Sequence, residues 1–232
     1  MQGFATLDWS SFAPWTDFLL HTLHYISLAF MIVAYTIKIK QLLAKPAVAE
    51  GTPAKGDHAK AIRYSYFLLA MPWEIESQRK HWFRYLEFAM FHIAMAVGIG
   101  VAFTMPWGHE YLATPPVIFA LLAVFSLGTL IGLSRLLRRL SDPAVRAIST
   151  PDDFFCIVLL TLWMASGVLM APQSSWHGEL WVQAYFVLAT FFLFYVPFSK
   201  ISHYVYWPFM RFYIGKHFGH RGVFPKKRVA NS

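Results

Sequence analysis

Long apolar runs separated by short polar stretches dominate the chain. Five are long enough for a bilayer core, which takes about 20 apolar residues in a helix. They fall at about 18–37, 88–107, 114–134, 154–172 and 180–205, the last being continuously apolar to about 199. The expectation is an all-α integral membrane bundle of five transmembrane helices within residues 1–210, followed by a basic tail, 211–232. The segment 44–62, "AKPAVAEGTPAKGDHAKAI", is small, polar and punctuated by Pro and Gly, so it reads as a loop.

Charge orients this pattern. Lys38 through Arg84 precede the second span, Arg135, Arg138, Arg139 and Arg146 lie between the third and fourth, and the remaining basic residues begin at Lys200. The loops "GHEYLATPP" and "QSSWHGE" on the other side contain no Lys or Arg. The positive-inside bias then predicts an outer N-terminus and a cytoplasmic C-terminus. Composition agrees: 57% of the 232 residues are hydrophobic and 14% charged. The net charge of +8 follows from this topology and from attraction to anionic membrane lipid, so no nucleic-acid partner is expected. The single Cys156 offers no disulfide framework, CxxC metal site or c-type haem attachment. No basic n-region precedes the first apolar run, so a cleaved signal peptide is not expected. Trp9, Trp15, Trp107, Trp176 and Trp181 fall near the outer interface and Trp82 and Trp207 near the inner one, as an interfacial belt requires. "SLGTLIGL" and "ASG" supply the small residues that let membrane helices approach.

Candidate chemistry lies among the polar groups at membrane depth, which hydrocarbon penalises unless they are paired or used. His92 is placed about one turn inside the inner boundary, which Arg84 and Glu87 mark. The fifth span descends past Pro197 in "FYVPFSKISHYVYWPF" and brings His203 to the same depth. Two neutral imidazoles on different helices suit the axial positions of a b-type haem, whose propionates Lys200 or Arg84 could meet. Pro197 removes a backbone hydrogen bond and permits a bend that aims the last turns. The alternative for each histidine is a hydrogen bond to a neighbouring helix.

"PFSKISHYVYWP", "FHIAMAVGIGVAFTMPW" and "LRRLSDPAVRAISTPDDFFCIVLL" resemble the corresponding segments of the respiratory nitrate reductase gamma subunit family. These are five-helix b-type cytochromes, and the family includes membrane subunits of heterodisulfide-reductase-like sulfur-metabolism complexes and of some hydrogenases. The likeness covers most of the chain from about residue 80. It implies that His92 and His203 are the cytoplasm-side haem ligands. Diheme members carry a second pair of ligands, at positions occupied here by Ala102 and Tyr185, so one haem b is expected. Tyr185 shares a face with His203 about 27 Å further out. It is a candidate quinone-site residue or a plug for the vacant volume. His21 and His24, three residues apart in the outer half of the first span, are further quinone-site candidates; ligation of a second haem or interhelical hydrogen bonding are their alternatives. His81 is a reserve ligand candidate, while His58, His109, His177, His217 and His220 read as surface histidines.

The resemblance implies a non-catalytic electron-transfer subunit in a bacterial or archaeal cytoplasmic (inner) membrane. It would pass electrons between quinol or quinone and a cytoplasmic iron–sulfur partner, heterodisulfide-reductase-like or nitrate reductase beta-like, docked on the basic inner loops. A nitrate reductase gamma subunit proper, a cytochrome b561-like diheme fold, a haem-free membrane anchor and a small transporter are the competing readings. Transport is disfavoured by the odd number of spans and the lack of a mid-membrane acid.

Overall fold

Residues 12–46, 50–172 and 178–226 are described by the computed structural model, and all of their regular structure is helical. Trp9, Trp176 and His177 lie outside the described residues. Five helices are long and apolar enough to cross a membrane: α1 (Pro14–Leu43), α4 (Trp82–Leu112), α5 (Pro115–Ser141), α7 (Pro151–Met170) and the segment Leu180–Phe198, whose α-helical part is α8 (Leu180–Tyr195). The chain is therefore a multi-pass membrane protein. Between them lie α2 (His58–Phe67), α3 (Glu76–Lys80) and α6 (Pro143–Ala147), and the chain ends on α9 (His203–His220).

Local chemistry explains the boundaries. Prolines stand in the first turns of α1, α5, α6 and α7, where the missing N–H leaves no helical bond unmade. Asp142 caps α6 by accepting from the amides of Ala144 and Val145 at 2.9 and 3.3 Å. Thr150 and Asp153 form a capping box at the start of α7. α4 outruns its apolar stretch at both ends because the interfacial residues continue the helix. It retains Pro106 and departs from helical geometry at Gly108. Within α1, Phe18–Leu23 is wound as a π-helix.

The chain divides into two units. The first, Met1–Ala34 with Glu87–Ile201, holds the large apolar core: Leu20, Ala102, Phe125, Trp163, Met164, Tyr185 and Phe186 are among its buried side chains. Glycines set the helix spacing in it. A Cβ on Gly167 would come within 3.0 Å of the Phe125 ring, and one on Gly98 within 2.8 Å of Met164 Cε. The small residues noted in "SLGTLIGL" and "ASG" are thus contact points between α4, α5 and α7.

The second unit is Tyr35–Leu86 with Ser202–Ser232. Here α2 packs on α9 so closely that a Cβ on Gly215 would lie 2.5 Å from Ile62 Cα, and one on Gly219 2.6 Å from Ala61 Cβ. Asp57 caps α2 through the amides of Ala59 and Lys60. The stretch before it is tied to the end of α9. Lys55 N–H donates to the His220 carbonyl at 2.7 Å, and His220 Nε2 donates to the Thr52 carbonyl at 2.7 Å. Glu50 accepts from His217 Nδ1 at 2.9 Å and from Arg221 at 3.1 Å. Gly222, at φ +70°, then turns the chain so that Phe224 packs with Ala61 and Leu68.

Two sequence expectations need correction. The segment 44–62 is not all loop: α2 begins at His58, where Asp57 satisfies the first amides and α9 supplies the packing that the local composition does not advertise. The boundary drawn at residue 210 falls inside α9, so the basic tail begins as helix. At Pro197 the chain does more than bend. α8 stops at Tyr195, Val196–Phe198 and Lys200–Ser202 are 3-10 turns, and Ser199 between them is extended.

Candidate functional site

His92 lies on α4 and is exposed. Its Nδ1 is 2.8 Å from the carbonyl oxygen of Phe88, one turn earlier, and the Phe88 ring is 4.2 Å away between centroids. A carbonyl can only accept, so in this contact Nδ1 carries the proton and the ring's lone pair sits on Nε2. That tautomer, fixed by a backbone carbonyl, is the one a metal-ligating imidazole needs. Around it, Glu87 accepts from Ser134 at 3.2 Å and Arg138 at 3.3 Å, while the Arg135 guanidinium lies 5.1 Å over the Phe91 ring. The α4 face before His92 is thus fixed to the basic end of α5.

His203 belongs to the other unit, where it is the first residue of α9 and exposed. Its neighbours hold it in place. Ser202 is buried and accepts from the Tyr35 hydroxyl at 3.3 Å, and the Tyr204 ring meets the Tyr35 ring edge-on at 5.9 Å. Arg84 is exposed in the first turn of α4. Lys200 is engaged within the first unit: its Nζ donates to Thr150 Oγ1 at 2.7 Å and Asp153 Oδ2 at 3.0 Å. The capping box of α7 therefore also receives the cation next to the α8 break, a role the sequence did not suggest for Asp153.

The outer candidates separate sharply. Tyr185 is fully buried, and its hydroxyl donates to the Gly98 carbonyl at 2.6 Å. Trp163 lies 5.5 Å from its ring and Phe125 meets it edge-on at 6.0 Å. Tyr185 and Ala102 sit in the same apolar core, and the tyrosine fills the space there. His21 turns toward Asp17, 3.8 Å away. His24 is 1% exposed among aromatic rings, and neither of its ring nitrogens has a hydrogen-bond partner. Beside it the Tyr25 hydroxyl is likewise buried without a partner. Tyr25 was not singled out in the sequence, where one more tyrosine in an apolar run carries no signal. At the other end of the chain, the half-buried His58 and His220 rings stack at 5.6 Å.

Among the described residues no group of three or more His, Cys, Asp or Glu side chains is placed to hold a metal ion, and a bis-imidazole haem calls for none. No protein-family model matches the chain, and no curated protein matches it either.

Proposed function

We propose that this chain is the membrane b-type cytochrome subunit of a quinone-linked redox complex in a bacterial or archaeal cytoplasmic membrane, with an outer N-terminus and a cytoplasmic C-terminus. The observation that carries the reading is the His92 tautomer. An imidazole held through Nδ1–H by the Phe88 carbonyl has a fixed ring orientation, and a histidine within a membrane-spanning helix is a functional-site candidate. The resemblance of "PFSKISHYVYWP" and "FHIAMAVGIGVAFTMPW" to nitrate reductase gamma-type cytochromes supplies His203 as the second imidazole.

The donor set suits one haem b. Bound by two imidazoles, such a group is a one-electron carrier. The chain's own residues orient and insulate. The Phe88 carbonyl fixes the His92 ring, and Tyr35 fixes the backbone next to His203 through Ser202. Burial of Ala102 and Tyr185 in the core leaves no ligand pair at the outer positions, which supports one haem and not two. Arg84, exposed, stands as a counter-charge for propionates. Lys200 would have to be shared with Asp153 and Thr150 to serve the same purpose. The basic residues of the inner segments favour docking of an acidic iron–sulfur partner, heterodisulfide-reductase-like or nitrate reductase beta-like.

The test is haem content. Pyridine haemochrome analysis of the purified protein should give one b-haem per chain, and His92→Ala or His203→Ala should give none while the apoprotein still inserts in the membrane. Full occupancy in either variant overturns the ligand assignment, and a haem-free wild type leaves the membrane-anchor reading.

A further inference from the structure

Buried polar atoms in native proteins nearly always find a partner, and each exception asks what satisfies it in the working molecule. Around His24 two such exceptions adjoin. Both imidazole nitrogens and the neighbouring Tyr25 hydroxyl are buried and unpartnered. The His24 ring is walled by Phe186 of α8 at 5.3 Å, Phe103 of α4 at 5.7 Å and Tyr25 at 5.9 Å. Trp107, 74% exposed, packs against both Tyr25 at 6.1 Å and His21 at 5.8 Å, and so forms the rim. The π-helical Phe18–Leu23 leads directly into His24, and such windings concentrate at functional sites.

The lining specifies the ligand's chemistry. None of the named walls carries a charge, and the nearby Asp17 is taken by His21, so an ionic ligand would be left unpaired. Aromatic walls favour a flat ring. An imidazole N–H and a phenolic O–H, both buried without a partner, favour acceptors such as carbonyl oxygens. The position on membrane-spanning helices favours an apolar molecule that arrives through lipid. We propose that this aromatic box binds the headgroup of a quinone, with His24 and Tyr25 as donors to its oxygens and exposed Trp107 at the rim. The inference rests on the quinone-linked reading above and places its site at α1, away from Tyr185, whose hydroxyl is already committed to Gly98.

Binding is testable without turnover. A fluorescent hydroxyquinoline N-oxide, a flat quinol analogue, is titrated into the purified full-length protein in detergent, with haem content measured on the same samples. Saturable binding is expected in the wild type, weakened about tenfold or more in His24→Phe, as for loss of one buried hydrogen bond to a ligand. Tyr25→Phe should weaken it less, and Tyr185→Phe not at all. His24→Gln, which keeps an N–H donor, should retain binding within about threefold of wild type, where a merely structural role would show both His24 variants alike. Thermal unfolding of His24→Phe should be no lower than wild type, because an apolar ring replaces an unsatisfied one. Equal binding in wild type and His24→Phe, or none in the wild type, overturns the proposal. So does a fall in haem per chain in His24→Phe, which would make the imidazole an iron ligand. A haem-free wild type that still binds in a His24-dependent way defeats the relay reading but supports this site.

Discussion

At the scale of single residues, partnered and unpartnered polar groups make opposite predictions. The Tyr185 hydroxyl donates within the core, so Tyr185→Phe should lower stability by about 1 kcal/mol, read as a fall in thermal midpoint, with haem content unchanged. Glu50 gives a pH effect of defined sign. The hydrogen bond from His217, reinforced by Arg221, holds its carboxyl below the ordinary value of 4.5. A depressed carboxylate adds stability that is complete above the unfolded value and lost as pH falls through the folded one. A spin label at Thr52→Cys, in a Cys156→Ser background, should therefore be immobile at neutral pH and gain mobility only as pH falls through Glu50's lowered value, below the ordinary 4.5. With Glu50→Gln it should be mobile throughout. Mobility that ignores both pH and the substitution would show that Glu50 does not hold this segment.

At the scale of elements, the tightest constraint is the contact of α2 with α9. Valine at Gly215 or Gly219 would collide with Ile62 or Ala61, and overpacking of this kind costs about 1–3 kcal/mol. Limited proteolysis should cut between residues 50 and 67 in these variants and spare the wild type. The five long helices were legible from the sequence because an apolar run of bilayer length has few other solutions in membrane. Their ends were less so: α4 spans Trp82–Leu112 against an apolar stretch of 88–107, since hydropathy marks hydrocarbon and not hydrogen bonding. α2 was missed because it is polar, and its stability comes from glycines more than 150 positions away on α9. Of the candidate site, His92 and His24 were visible as histidines in apolar runs. The Phe88 carbonyl that sets one ring, and the missing partners that distinguish the other, depend on rotamers and packing that no spacing encodes.

At the scale of the whole molecule, the one-sided distribution of Lys and Arg predicts orientation. In a Cys156→Ser background, a cysteine at Glu110 should react with an impermeant maleimide in intact cells, whereas one at Lys226 should react only after permeabilisation; the reverse pattern would invert the topology. The π-wound Phe18–Leu23 bears on the same scale. Such a stretch amounts to an ordinary helix carrying one surplus residue. Excising exposed Thr22 would let the helix close up as α, with the residues on both sides of the stretch keeping the faces they now present. Thr16 would stay beside Glu179 and Gln183, and every register from His24 inward would stay as it was. The bundle can thus shed a residue without refolding, and the contacts on either side of the stretch would not record the loss.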